Sequence, residues 1–150
     1  MKAVIQRVKQ AEVFISGQVY NRIGQGLLVL LGIEEADNST DIEWLVNKLA
    51  ALRIFDDAAG VMNCSVEDIA GEVMVISQFT LHASTKKGNR PSYIKAAKPE
   101  ISIPLYEEFV GSLNRRLNQK IKTGQFGAEM AVSLVNDGPV TIIIDTKNKV

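Results

Sequence analysis

Leu27 to Leu31 is an unbroken aliphatic run, with Gly24-Gln25-Gly26 before it and Gly32 after it. A run of this length between glycines presents no polar face at either period, and it predicts a central strand. Residues 2 to 8 alternate like a half-buried strand, in which Arg7 is a charge that must be buried or paired. Ala11 to Ile15 and Gln18 to Ile23 flank Ser16-Gly17, which predicts a hairpin, and Gly24-Gln25-Gly26 permits a second tight reversal. The opening of the chain therefore reads as a meander that delivers the central strand.

The periodicity then changes. Thr40 with Glu43 three residues later is a capping-box pattern, and Trp44, Leu45, Lys48, Leu49 and Leu52 recur at helical spacing, so a helix is predicted to about Arg53. Asp56 to Gly60 is a turn whose paired acids read as solvated, and Met62 to Ala70 is short and mixed. Glu72 to Leu81, EVMVISQFTL, is a second apolar run of strand length that takes in Ser77, Gln78 and Thr80 while keeping its strand character. His82 to Lys98 is a long polar loop, of the kind that is usually functional or disordered. Leu105, Phe109, Leu113, Leu117 and Ile121 form a four-residue stripe, predicting a helix from Ser102 or Ile103, with Pro104 in its first turn, to about Lys122, ended by Thr123-Gly124. Ala131 to Val135 and Val140 to Ile144 are strand-like runs interrupted by Asn136-Asp137-Gly138-Pro139. Strands, helix, strand, helix and two strands give a mixed α/β domain with helices on one side of the sheet.

Several function classes are excluded by what is missing. No GxGxxG follows the first strand, and Gly88-Asn89-Arg90 lacks the spacing of a phosphate-binding P-loop. The single cysteine, Cys64, permits no internal disulfide and reads as a small structural hydrophobe, and the lone His82 has no partners for a zinc site. No run approaches the roughly 20 apolar residues of a membrane span. MKAVIQRVKQ reads as a strand and not a signal segment, so a cytoplasmic protein with no membrane association is expected. Net charge is zero, yet Glu34 to Glu72 holds ten acids against two bases, while Lys86 to Lys122 holds nine bases against three acids. A neutral chain distributed in this way can offer a polyanion one basic face, although ordinary surface fluctuation is the competing reading.

Ser77 and Thr80 are the hydroxyls set in a strong core strand. A nucleophilic hydroxyl needs a base, and the only histidine lies two residues beyond Thr80, about 6 to 7 Å along an extended backbone. A nucleophile, a structural hydroxyl and a ligand-positioning group all remain open for Thr80. Gly138-Pro139 is either a reverse turn between two strands or a constrained unit that brings main-chain groups close to a ligand.

MKAVIQRV at the start, GLLVLLGI from Gly26, LRIFDD from Leu52, SQFTL from Ser77, KGNRPSY from Lys87, TGQFGAEM from Thr123 and NDGPVT from Asn136 stand in one order along the whole chain. In these motifs the chain resembles the D-aminoacyl-tRNA deacylase family of the bacterial type, which removes D-amino acids mischarged onto tRNA. His82 and Ser84 depart from the tyrosine and aspartate that the family often carries after SQFTL. The resemblance implies one domain over residues 1–150, of three layers, whose antiparallel and mixed β-sheets form a barrel-like core with helices packed on one side. It also implies a homodimer with active sites at the interface, where SQFTL of one subunit faces the Gly138-Pro139 element of the other, the latter with a cis bond.

On this resemblance Ser77, Gln78, Phe79 and Thr80 are the catalytic wall around the 3'-terminal aminoacyl-adenosine, with the Phe79 main-chain N–H as oxyanion donor. Gly138 and Pro139 are the chiral selector, Arg7 ties that segment down, and Leu81, Met130, Asn136, Val140 and Thr141 complete the substrate-binding set. Glycine passes the selector, so glycyl-tRNA mischarged on tRNA(Ala) is an expected second substrate. No metal and no cofactor are expected. Either Thr80 attacks the ester, or water attacks with help from the ribose 2'-OH; the second is preferred because no base serves Thr80. The loop from Lys86 to Lys98, with Arg115, Arg116, Lys120 and Lys122, is expected to hold the acceptor stem. The competing classes are a non-enzymatic RNA-binding protein and a general small-molecule esterase.

Overall fold

The computed structural model describes residues 1–150. Strand β1 (Lys2–Ile15) is one continuous element, where the sequence suggested two; β2 (Gln18–Ile23) and β3 (Gly26–Gly32) follow it. The N-terminal half of β1 pairs antiparallel with β3 and its C-terminal half with β2. Helix α1 (Ser39–Ala51) leads to a small hairpin of β4 (Phe55–Asp56) and β5 (Met62–Cys64). Strand β6 (Glu72–Ser77) lies parallel to β3, helix α2 (Pro99–Leu117) crosses back, β7 (Lys122–Thr123) adds parallel to β6, and β8 (Ala131–Asp145) returns antiparallel along β1. No helix is long and apolar enough to cross a membrane.

The aliphatic run of β3 is explained by burial on both faces. Leu27, Val29 and Leu31 join Val73 and Val75 of β6 in a core shared with Leu45 and Leu49 of α1 and Phe109 and Leu113 of α2. Leu28 and the β6 residues Met74 and Ile76 point the other way, into a second core with Val8, Ala11 and Val13, covered by Met130 and by Val132 and Leu134 of β8. Helices, central sheet and the returning part of β8 thus form three layers, and the sheet curls toward a barrel with both helices on one side.

Both helix starts differ from the sequence expectation. Asn38 caps α1 by accepting from the Thr40 N–H (2.9 Å), and Asp41 accepts from the Asn38 N–H (3.1 Å), so the capping box sits two residues earlier than Thr40 and Glu43. Asp41 also takes the Lys147 ammonium at 2.8 Å. Burial pushes its carboxyl up, but the bonds from Lys147, Thr146 and the Asn38 backbone outweigh this and hold it below the ordinary value. Helix α2 starts with Pro99 in its first turn, leaving Pro104 inside, and ends where Asn118 takes a left-handed φ of 48°; Thr123-Gly124 is not its terminator. Asparagine tolerates that conformation, so Ile121 reaches the core from beyond the helix. In the turn after β4, Asp57 Oδ1 accepts from the N–H groups of Ala59 and Val61, which lowers its pKa.

Candidate functional site

The strand character of SQFTL stops at Ser77. The Gln78 N–H still donates to Leu31 of β3 (2.8 Å), but Phe79–His82 then form a 3-10 turn closed by Leu81 N–H to Gln78 O (3.2 Å) and Ala83 N–H to Thr80 O (3.0 Å). The reason lies opposite, at the end of β3. A Cβ on Gly32 would sit 3.0 Å from the Gln78 carbonyl and the Leu81 Cβ, so the bare glycine leaves room for the chain to curl over the sheet. Thr80 is therefore not on an extended strand with His82. Its Oγ1 accepts from Gln78 Nε2 at 2.5 Å, and an amide is no base. His82 is buried with Nε2 lacking any hydrogen-bond partner, so no Thr80–His82 relay exists. As the first residues of the turn, Phe79 and Thr80 have main-chain N–H groups with no acceptor inside it.

Ser77, Gln78 and Phe79 line a cavity of about 480 Å³, a volume typical of small-ligand sites. Met130 completes this part of the expected set, lying over Gly124, where a Cβ would come within 2.4 Å of its sulfur. The sequence reading missed Ala96, Ala97, Ser102 and Phe126 of the same wall. Phe126 was visible in the TGQFGAEM motif but has no polar atom to mark it, and it is braced edge-on by Tyr106 (5.8 Å between centroids). Tyr106 donates in turn to the Val75 carbonyl of β6 (2.8 Å), and burial raises its phenol pKa well above the ordinary value.

The other expected residues gather elsewhere. Gln6 pairs with Thr141 and Val8 with Asn136, so Arg7 alone stands opposite the four residues Asp137 to Val140 of β8. NDGP is thus a bulge within one long strand and not a turn between two. Arg7 Nε donates to the Asp137 carbonyl (3.1 Å) and Nη1 to the Ile54 carbonyl (2.7 Å), with the Asp137 and Asp56 carboxylates at 3.4 and 3.6 Å. Asn136 Nδ2 donates to the carbonyls of Arg7 (3.1 Å) and Val140 (3.0 Å), and the Thr141 hydroxyl reaches Asn136 Oδ1 at 3.4 Å. Between these anchors the Gly138–Pro139 peptide is cis. Gly138 has φ of 124°, and a Cβ there would lie 2.8 Å from Val140 Cγ2 and 3.1 Å from Arg7 Nη2, so only glycine fits. Gly138, Pro139 and Thr141 are exposed, Val140 packs on the core, and none of this group lines the cavity.

The basic loop is ordered at its base, where Ser84 and Ser92 exchange two main-chain hydrogen bonds (2.8 and 2.9 Å). The helix cations are less available than the sequence suggested, since Arg116 is held by both oxygens of Glu67 (3.0 and 2.9 Å). No group of three or more His, Cys, Asp or Glu residues is placed to hold a metal ion.

A family model described as D-Tyr-tRNA(Tyr) deacylase matches residues 4–145. A D-aminoacyl-tRNA deacylase of Bacteroides thetaiotaomicron is 64% identical over 149 residues, covering 99% of both chains, and one of Flavobacterium johnsoniae is 60% identical with the same coverage. Among solved structures, the c-Myc DNA Unwinding Element Binding Protein superposes with a TM-score of 0.91 at 41% identity, covering 97% of this chain and 98% of that one. A probable eukaryotic D-amino acid tRNA deacylase superposes with a TM-score of 0.82 at 15% identity, over 95% of this chain and 97% of the other, a likeness of fold alone.

Proposed function

The chain belongs to the D-Tyr-tRNA(Tyr) deacylase family, and on that premise we propose that the cavity receives the 3'-terminal aminoacyl-adenosine while Gly138–Pro139 of a second copy selects its handedness. Membership makes the protein a tRNA-binding hydrolase that cleaves the ester of D-aminoacyl-tRNA in translation quality control. In this reading residues 1–150 act as one cytoplasmic deacylase domain and as a homodimer.

The observation that carries it is the bulge. Enantiomers share composition and apolar area, so a filter must be rigid and close to the α-carbon. Arg7 and Asn136 bracket an exposed Gly138–Pro139 unit from both sides, which gives a stiff main-chain projection with nothing of its own chain to face. The lining Ser77, Gln78 and Phe79 lack such a filter. A twofold pairing of copies supplies each cavity with the partner's selector, with Val140 and Thr141 beside it. An L side chain is excluded there; glycine, without one, passes, which extends the substrates to glycyl-tRNA mischarged on tRNA(Ala).

In the proposed reaction water adds to the ester carbonyl, and the developing oxyanion is met by the Phe79 N–H. The ribose 2'-OH assists, the carbonyl carbon–oxygen bond breaks, and the ribose 3'-oxygen takes the proton, releasing D-amino acid and tRNA. The residues assigned need no cofactor for this. Thr80, bonded to the Gln78 amide, positions substrate. A Thr80→Ala protein should retain D-Tyr-tRNA turnover within about tenfold; loss beyond about a hundredfold with binding retained would instead make Thr80 the nucleophile.

A second reading has one observation in its favour, the structural likeness to the c-Myc DNA Unwinding Element Binding Protein. It makes this chain a nucleic-acid-binding protein without turnover. Assays with D-Tyr-tRNA and L-Tyr-tRNA separate the two: hydrolysis of the D ester with the L ester spared supports deacylation, and binding of both without hydrolysis refutes it. Cleavage of simple esters lacking adenosine would point to the small-molecule esterase.

A further inference from the structure

Beside the cavity lies an apolar surface of which the proposed reaction uses only the Phe79 main chain. Phe79 is 54% exposed, Tyr93 40% and Ile94 93%. The Phe79 and Tyr93 rings meet edge to face, 5.2 Å between centroids at 75°. Phe79 is itself part of the cavity wall, and so are Ala96 and Ala97, a few residues past Ile94, so this surface is continuous with the rim. Tyr93 directly follows Ser92, whose paired main-chain bonds to Ser84 fix the base of the loop. The ring therefore stands on an anchored point of the chain.

Charge says what such a surface meets. From His82 to Lys98 the chain has five cations, Lys86, Lys87, Arg90, Lys95 and Lys98, and no acid. None of the five enters an ion pair. Exposed aromatic faces flanked by uncompensated cations are how proteins hold single-stranded nucleic acid, with bases stacked on rings and phosphates neutralised alongside. An apolar protein partner would need no such excess of charge.

Building on the reading of the cavity as the terminal-adenosine site, we propose that Tyr93 and Ile94, with the outer face of Phe79, form a stacking platform for the nucleotide preceding that adenosine. Lys86, Lys87 and Arg90 take its phosphates. Recognition then extends one step up the single-stranded 3' end of the tRNA, independently of the bases, because every base has a face to stack.

The test compares D-Tyr-tRNA with D-tyrosyl-adenosine, which ends at the terminal nucleoside. A Tyr93→Ala/Ile94→Ala protein should show KM for the tRNA raised about tenfold with kcat kept, normal kinetics on the nucleoside, and recovery in Tyr93→Phe. An unchanged KM on tRNA overturns the proposal. Equal loss on both substrates overturns it too, by making Tyr93 a brace for Phe79 within the cavity. A shift to monomer in sedimentation overturns it in favour of a contact between copies. Were the unaltered protein inactive on both substrates, the deacylase reading would fail separately. The platform would then stand or fall by whether affinity for an oligoribonucleotide of the tRNA 3' strand drops about tenfold in the same variant.

Discussion

An Arg7→Ala protein should unfold about 3 kcal/mol more easily and lose most of its discrimination between D- and L-aminoacyl-tRNA. Arg7 is 8% exposed and is the one β1 residue facing the four-residue bulge of β8. Its forked donors reach two carbonyls on different segments, Ile54 after α1 and Asp137 in the bulge. Hydrogen bonds from a charged donor contribute about 1.5 to 3 kcal/mol each, and the carbonyls left behind lose their partner. The carboxylate of Asp56 is more than half exposed at 55%, so its ion pair adds little. Arg7→Lys keeps the charge but not the fork, and should recover stability in part and selectivity hardly at all. Denaturant unfolding and the ratio of kcat/KM for D-Tyr-tRNA over L-Tyr-tRNA provide the check. Destabilisation with an unchanged ratio would leave Arg7 a purely structural residue.

Gly26→Ala should be the more damaging change to the fold, costing more than about 4 kcal/mol or preventing soluble folding. A Cβ at Gly26 would fall 1.7 Å from the carbonyl oxygen of Glu72 and 2.8 Å from its nitrogen. These are backbone atoms at the start of the parallel β3–β6 ladder, where Gly26 pairs with Glu72, and neither can step aside. The comparison is Gly17→Ala, at φ 75° with nothing within 4 Å, which should cost only about 1 kcal/mol of backbone strain. Similar midpoints for the two variants in urea would contradict the close approach.

Gly26 also shows where sequence pattern misleads. Glycines around Gln25 look like a tight turn, yet neither Gly24 nor Gly26 has a positive φ; Gly26 is bare because a strand comes close. The apolar runs of β3 and β6 were legible because burial on both faces leaves a plain compositional mark. Where SQFTL leaves the strand was not legible, since that depends on Gly32 in another strand. The N-terminus of α1 was misplaced by two residues because two overlapping patterns fit, and the bond that ties Asp41 to Lys147, more than a hundred residues away, leaves no local mark in the sequence. NDGP looked like a turn because nothing local says that the flanking strands share one partner. Of the site, the motif residues were found through their order along the chain. Ala96, Ala97 and Phe126 carry no chemistry that a pattern could flag.

The ladder between β1 and β8 joins residues 2–14 to residues 131–145, almost the full span of the chain. Such pairing has the largest loop-closure cost available to this sequence, so it belongs late in folding. The pairing of β1 with β2 and β3, which lie in turn along it, is local and can form while the rest is still being made. Arg7 then waits with no carbonyl of Asp137 to hold, and the bulge has no shape of its own. The Gly138–Pro139 projection is therefore among the last features to exist, and a partly synthesised chain could have the Ser77–Phe79 wall of the cavity while still lacking the bulge.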